Sequence, residues 1–455
     1  MFHPTRRSKS AVVAGALALS GVLSAAASAA DQAAPQPDLN EKLNALQAKI
    51  DELQSQQKAL QQQQQRQAQD SSIGSVITDA DRHSRMLDMT GITGGYSPEK
   101  GFLLRSDDGN FLLHPWFQFQ VRDELNYRNS GKPSGADDTE NGFQIQQMKV
   151  GFDGNVFTPD LGYQFIFNFN PNTGTAFLTE AWAKYHFANT PWAVKGGQFK
   201  NPFDHEQLIS DKYQLAADRT FAEDVLANGN GFVQGVSLAW DPGHDSPLRG
   251  EAAFTDGYAS FNQNFQDFPN TNANYGVVGR VEYKLFGHWA DYTKFTSLGN
   301  TADLLVVGAG ADLTGIGHRN QLLHVVDAQW NMGALGLYGA YMGRYTQHGA
   351  MGSSGDTYDP SVRLQASYLL TRKLEGFARY DYLHFDSKEF PGGTQVNIHE
   401  FTVGANYYLY GQAAKFTVDF TFLPNGAPIN DGFSGVLVDN DHTEFMIRGQ
   451  FQLLI

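Results

Sequence analysis

From Phe102 onward, apolar and polar side chains follow one another at a period of two. Phe117, Phe119 and Val121 alternate with Gln118, Gln120 and Arg122, and Met148, Val150 and Phe152 with Lys149 and Asp153. Phe416, Val418, Phe420 and Phe422 interleave with Lys415, Thr417, Asp419 and Thr421. The last run sets Phe445, Ile447, Phe451, Leu453 and Ile455 against Glu444, Arg448, Gln450 and Gln452. A period of two places one set on each face of a β-strand. About sixteen such segments can be traced, each near the ten residues a tilted strand needs to cross a bilayer. The connections at 154–162, 242–247 and 331–333 are short, and those at 129–142, 201–230 and 349–358 are long. Short turns on one rim and long loops on the other are the habit of outer-membrane barrels.

A soluble sandwich or propeller also alternates. Here the apolar face ends in aromatic clusters, such as Tyr407, Tyr408 and Tyr410, as interfacial girdles do. Aromatic residues make up 13% of the chain, with 33 Phe and 19 Tyr, enough for two girdles. The mean hydropathy of −0.39 fits the same reading, because a lumen-facing polar residue dilutes each lipid-facing one. The expected fold is all-β, a transmembrane antiparallel barrel of about sixteen strands over residues 101–455.

The N-terminal segments differ in kind. Arg6, Arg7 and Lys9 precede an apolar stretch at 11–23 and a small-residue run ending at Ala30. That order reads as a secretory signal peptide over residues 1–30, too short and too small-residue-rich at its end to be an anchor. With no cysteine in the chain, an exported fold must hold by a large core, a closed sheet or oligomerisation. The net charge is −15, and the leader carries three basic residues and no acid. The mature chain is therefore strongly acidic, which excludes a nucleic-acid partner.

Within 31–70, Leu39, Leu43, Leu46, Ile50, Leu53 and Leu60 recur at alternating steps of four and three, with Gln57 at the one missing place. This is an a/d seam, and everything around it is polar, so it predicts a short periplasmic coiled-coil helix with a glutamine-rich tail. Such a seam is buried by other copies of itself. The expected partners are self, as a homotrimer by analogy with barrels of this size, outer-membrane lipid, and small hydrophilic solutes or ions. Residues 71–100 read as a polar linker.

Gly197-Gln-Phe-Lys-Asn-Pro-Phe203, followed by Glu206 and Arg219, resembles the phosphate-selective porin O and P family. So do Asp108-Gly-Asn-Phe111 with Trp116-Phe-Gln118, and Trp289-Ala-Asp-Tyr-Thr-Lys-Phe295. The resemblance spans roughly residues 80–455. It implies a trimeric sixteen-stranded barrel narrowed by an infolded third loop, placed here at about 200–230. The family's best-known members select phosphate with arginines and lysines at that narrowing. This loop departs from them. Lys200, Lys212 and Arg219 stand against Asp204, Glu206, Asp211, Asp218, Glu223 and Asp224. An acidic loop repels dianionic phosphate.

Strand parity puts Arg122, Lys149, Lys184, Lys195, Arg280, Lys284, Arg363, Arg379, Lys415 and Arg448 on the lumen face, together with Asp153, Glu180, Glu282, Asp381, Glu400, Asp419 and Glu444. Basic wall residues opposite an acidic loop would set a transverse field that orients polar solutes. The bland alternative is that neighbouring strands pair opposite charges to hold a wet lumen together. The function expected is passive diffusion of small hydrophilic solutes or ions across the outer membrane. A phosphate or anion channel is the alternative within the same class. A tether from the outer membrane to the cell wall through the coiled coil is the alternative from another class.

No HExxH, close-spaced histidine pair, P-loop or GxSxG element occurs, so no metal, cofactor or enzymatic role is expected.

Overall fold

The computed structural model describes residues 91–97, 101–128, 138–170, 172–227, 231–243, 245–257, 273–348, 355–389, 396–429, 435–438 and 442–455, with five separate residues between 49 and 58. Those five, Lys49, Glu52, Ser55, Gln56 and Lys58, are helical and exposed. The expected signal peptide and the seam residues Leu39, Leu43, Leu46, Ile50, Leu53 and Leu60 lie outside the described residues.

Two short strands, β1 (Ile92–Ser97) and β2 (Gly101–Ser106), form an antiparallel hairpin. Strand β1 therefore falls in the stretch read from sequence as linker. The long strands follow as β3 (Leu112–Arg128), β4 (Thr139–Asn155), β5 (Leu161–Phe169), β6 (Ala176–His186), β7 (Trp192–Lys200) and β8 (Phe232–Trp240). Next come β9 (Leu248–Thr255), β10 (Ala273–Phe286), β11 (Leu304–Ile316), β12 (Arg319–Met332) and β13 (Leu335–Thr346). The last five are β14 (Thr357–Thr371), β15 (Leu374–His384), β16 (Asn397–Tyr410), β17 (Ala414–Leu423) and β18 (Glu444–Leu454). Each pairs antiparallel with the next, and β18 returns to β3 in the register Gln452↔Gln120 and Arg448↔Glu124. Strands β3 to β18 thus close a sixteen-stranded barrel, and β2 pairs with it at β3.

The ring is apolar outside and polar inside. Val236, Phe254 and Val281 are 56%, 66% and 49% exposed, whereas Arg122, Arg363 and Arg448 are each 1% exposed. Apolar surface in water costs about 25 cal/mol per Å², so a belt of this kind is built for hydrocarbon. Closure matters there, because an unpaired strand edge has no water to satisfy it. No described helix is long and apolar enough to cross a membrane. Outward aromatics gather at both rims. Trp192, Tyr283, Trp330, Tyr368 and Tyr407 lie near the short turns, and Phe254, Tyr275, Tyr358 and Phe401 near the long loops.

Two local departures from the alternation have structural causes. A bulge between β5 and β6 carries an extra residue, so Thr179 turns inward and is buried beside Glu180. Tyr408, grouped by sequence with the girdle, points inward instead. It is 1% exposed and donates its hydroxyl to Glu375 Oε2.

Candidate pore constriction

The loop after β7 leaves the wall at Asn201-Pro202. Proline has no N–H for the ladder, and the chain turns into the barrel there. Asp204 caps a one-turn helix, α1 (His205–Leu208), accepting from Gln207 N. Lys200 Nζ donates to the carbonyls of Gln207, Leu208 and Ile209 at 2.8, 3.2 and 3.3 Å, satisfying the other end of that turn. Thr220 caps a second helix, α2 (Phe221–Leu226), while its own N–H and hydroxyl donate to the Glu206 carboxylate at 2.9 and 3.1 Å. Phe203, Ile209, Leu215, Phe221 and Leu226 are all buried, so the loop carries its own apolar filling into a polar lumen.

Wall side chains hold the loop along most of its length. Arg363 of β14 donates to Asp204 at 2.7 and 3.0 Å and to Glu206 at 2.8 Å. Arg280 of β10 donates to Phe203 O at 3.0 Å and forks onto Asp327 with two bonds of 2.8 Å. Arg379 of β15 reaches Asp218 O at 2.7 Å and Glu400 at 2.7 Å. Carboxylates take the loop's backbone donors: Asp381 from Ala222 N, Glu400 from Phe221 N and Asp419 from Ala217 N, at 2.7 to 2.9 Å. Lys415 and Asn406 bond the carbonyls of Gln214 and Leu215. At Gly310 of β11 the loop backbone comes so close that a Cβ would sit 2.3 Å from Phe203 O, so only glycine fits.

Opposite these anchors the lumen stays open. A space of about 1090 Å³ lies between the loop and the inner faces of β3 to β6. Gln118, Gln120, Gln147 and Asn168 border it from the wall, and Gln207, Asp211 and Asp218 from the loop. Trp116 lies flat on the wall there, its ring filling the place a Cβ at Gly151 would take. Three ionic contacts bridge wall and loop at this space. Lys149 meets Asp211, and Arg122 meets Asp218, which Arg448 also reaches at 3.3 Å.

A closed barrel, greasy outside and ionic inside, with a loop folded in to leave one side passage, is a pore architecture. Residues 117–284 match the model of the phosphate-selective porin O and P family. The chain is an outer-membrane porin. No curated protein sequence matches it. Three solved structures share the porin's fold. The anion-selective porin from Comamonas acidovorans is 13% identical, with a TM-score of 0.54 over 75% of this chain and 99% of that one. Salmonella typhi OmpF in complex with daunomycin is 14% identical, with a TM-score of 0.51 over 76% and 99%. Pseudomonas putida OprB is 9% identical, with a TM-score of 0.52 over 75% and 94%.

The residues singled out by strand parity all belong to the porin's inner face, but they sit there differently. Arg122, Arg280, Arg363, Arg379, Lys415 and Arg448 are in contact with the loop or with wall carboxylates rather than across open water from them. Lys195 pairs with Glu251 at 2.7 Å, and Lys284 lies 5.3 Å from the Trp289 ring. Lys184 faces Lys195 across the β6–β7 pair. In the loop, Lys149's partner Asp211 and the residues Lys200, Asp218 and Arg219 border the passage, while Asp204 and Glu206 are buried behind it. Lys212 reaches over the Trp116 ring at 4.7 Å. Burial opposes the charge on Asp211, yet Lys149 and Arg219 hold its carboxyl well below the usual carboxylate range.

Sequence reasoning missed a second infolded segment. Residues 287–303, on the short-turn rim, fold inward and bury Trp289, Tyr292 and Phe295. Tyr292 lies against His205 of the loop, its hydroxyl accepts from Arg280 at 3.0 Å, and Arg249 covers Trp289 at 4.1 Å. An aromatic cluster at a strand end reads as a girdle. The hint was its length, because the other turns on that rim run from two to seven residues. Among the described residues no cluster of carboxylates and histidines is arranged to hold a metal ion.

Proposed function

We propose that the porin is a general-diffusion channel for small hydrophilic solutes and ions, without the phosphate selectivity of the family it matches. The observation that carries this reading is the state of the cations at the narrowing. Lys149 is paired with Asp211, Arg122 and Arg448 with Asp218, and Lys200 is spent on three carbonyls of its own loop. Collecting a dianion needs donors that are unspent, because each pair already formed must be broken or shared to serve it. The fold likeness to an anion-selective porin supports a water-filled pore, while the acidic loop argues against a strong anion preference here.

In this reading three copies assemble, with the heptad segment at 31–70 in the periplasm holding them together. The a/d spacing of the seam, which suits burial by other copies of itself, supports that assembly. The test is the reversal potential of the purified protein in a KCl gradient across a planar bilayer, with and without phosphate. A small potential unaffected by phosphate is expected. A large anion-selective potential with phosphate block would overturn the general-diffusion reading in favour of the family's named activity.

A further inference from the structure

We infer that the passage beside the infolded loop binds neutral, multiply hydroxylated solutes, small saccharides being the class, as they cross. The inference rests on the channel reading above and names its substrate class.

The wall of this space is dominated by amides. Gln118, Gln120, Gln147 and Asn168 lie in adjacent rows across β3, β4 and β5, and Gln207 borders the same space from the loop. Part of this set is internally bonded: Gln120 Nε2 donates to Gln452 Oε1 at 2.7 Å, and Asn168 Nδ2 to Gln147 Oε1 at 3.2 Å. Three atoms are left over. Gln118, 1% exposed, has Nε2 without a hydrogen-bond partner, and Gln207, 3% exposed, has Oε1 without one. Asn168 Oδ1 is the third. Buried polar atoms are rarely left unserved, and all three residues border the passage, so a ligand or water there is placed to serve them once the side chains turn toward it.

The unserved set contains one donor and two acceptors. An anion offers acceptors only and would face the two amide oxygens together with Asp211 and Asp218. A cation offers no acceptor for Gln118 and would meet Lys149 and Arg219. A hydroxyl both donates and accepts, so a polyol satisfies the mixed set without adding a charge to a lining that already sets Lys149, Lys200 and Arg219 against Glu180, Asp211, Asp218 and Asp224. Phe177, 48% exposed, and Trp116 border the same space. The exposed Phe177 ring gives the carbon-bearing face of a sugar ring a surface to pack on while its hydroxyl edge meets the amides.

The test uses the full-length protein in planar bilayers in KCl, with maltotriose titrated into the bath. Current steps interrupted by maltotriose, and not by the same concentration of phosphate, are expected. Replacing Gln118→Leu together with Gln207→Leu is expected to raise the half-blocking concentration about tenfold, the effect of one or two lost hydrogen bonds. Should the double variant fail to insert, Gln118→Asn, which keeps an amide but withdraws it, is expected to weaken the block in the same direction. Steps with no maltotriose block overturn this inference and leave the channel reading standing. Block that the amide variants do not weaken overturns the assignment of the site. An absence of steps overturns both readings.

Discussion

His205 lies flat on Tyr292, the ring centroids 3.8 Å apart and the planes within 9° of parallel. One residue belongs to the loop that enters from the long-loop rim, and the other to the segment that enters from the short-turn rim. The stack therefore joins two inward folds that the chain forms independently. His205 Nε2 also meets Gln329 Oε1 at 2.8 Å, and Gln329 Nε2 donates to Lys294 O at 2.8 Å, so β12 is tied to both.

Replacing His205→Ala removes the stack and strands the Gln329 amide. Aromatic pairs contribute about 0.5–1.5 kcal/mol beyond their burial, and the lost hydrogen bond adds about 1 kcal/mol. The loop is expected to fluctuate more. Single-channel recordings should show a noisier open level, and the folded band in unheated gels should convert at a lower temperature. An open level as quiet as that of the native protein would contradict the junction's role.

Arg363 is the main anchor of the loop's first half. Removing it as Arg363→Ala leaves Asp204 and Glu206 buried without their cation, a loss of about 3–5 kcal/mol. Conductance should rise as the loop detaches. The triple variant Arg363→Met, Asp204→Leu, Glu206→Leu, which takes all three charges out but strands the Gln207 and Thr220 donors they served, is expected to recover part of the thermal stability. A single variant as stable as the triple one would show that the charges are not coupled.

Glu223 gives the loop a pH dependence. It lies in α2, outside the spanning strands, fully buried, with Arg219 4.0 Å away and neither oxygen hydrogen-bonded. Burial first, and the neighbouring Glu206 and Asp204 carboxylates after it, push its carboxyl from 4.5 up to about 8, against the pull of Arg219. A group whose proton is held more tightly in the folded state favours that state fully below its ordinary value. The benefit is lost as pH rises through the raised one. Thermal conversion of the folded band should therefore fall between pH 5 and 8, and Glu223→Gln should flatten that slope. An equal slope in the variant would rule Glu223 out as the source.

The Lys149–Asp211 contact borders the passage, so either half controls the sign of the local charge. Asp211→Asn is expected to move the reversal potential toward anions, and Lys149→Gln toward cations. Both shifts should shrink as salt rises, because screening shortens to about 3 Å at 1 M. Shifts that survive high salt unchanged would point to a change in pore shape instead of charge.

Much of the barrel can be read from the chain, because lipid outside and water inside impose a rhythm on every strand. Arg122, Arg363 and Arg448 face inward as their parity demands. Three things escape that rhythm. A bulge adds one residue, and so Thr179 inverts without changing composition. Tyr408 is chemically suited to a girdle, and only its partner Glu375 on β15 shows why it turns in. The pairing of charges depends on the path of the loop. Asp218 meets Arg122 from residues 96 positions away and Arg448 from 230, distances at which sequence spacing carries no signal.

The loop takes most of its holds from β10 to β18, with Arg122, Gln146 and Lys149 reaching it from β3 and β4, while the opening it leaves is bordered by β3 to β6. Clamp and sieve thus lie largely on separate stretches of the chain. Substitutions along the sieve strands, away from Arg122, Gln146 and Lys149, can retune what is admitted without loosening the clamp, so permeability and robustness can change separately across descendants of this protein.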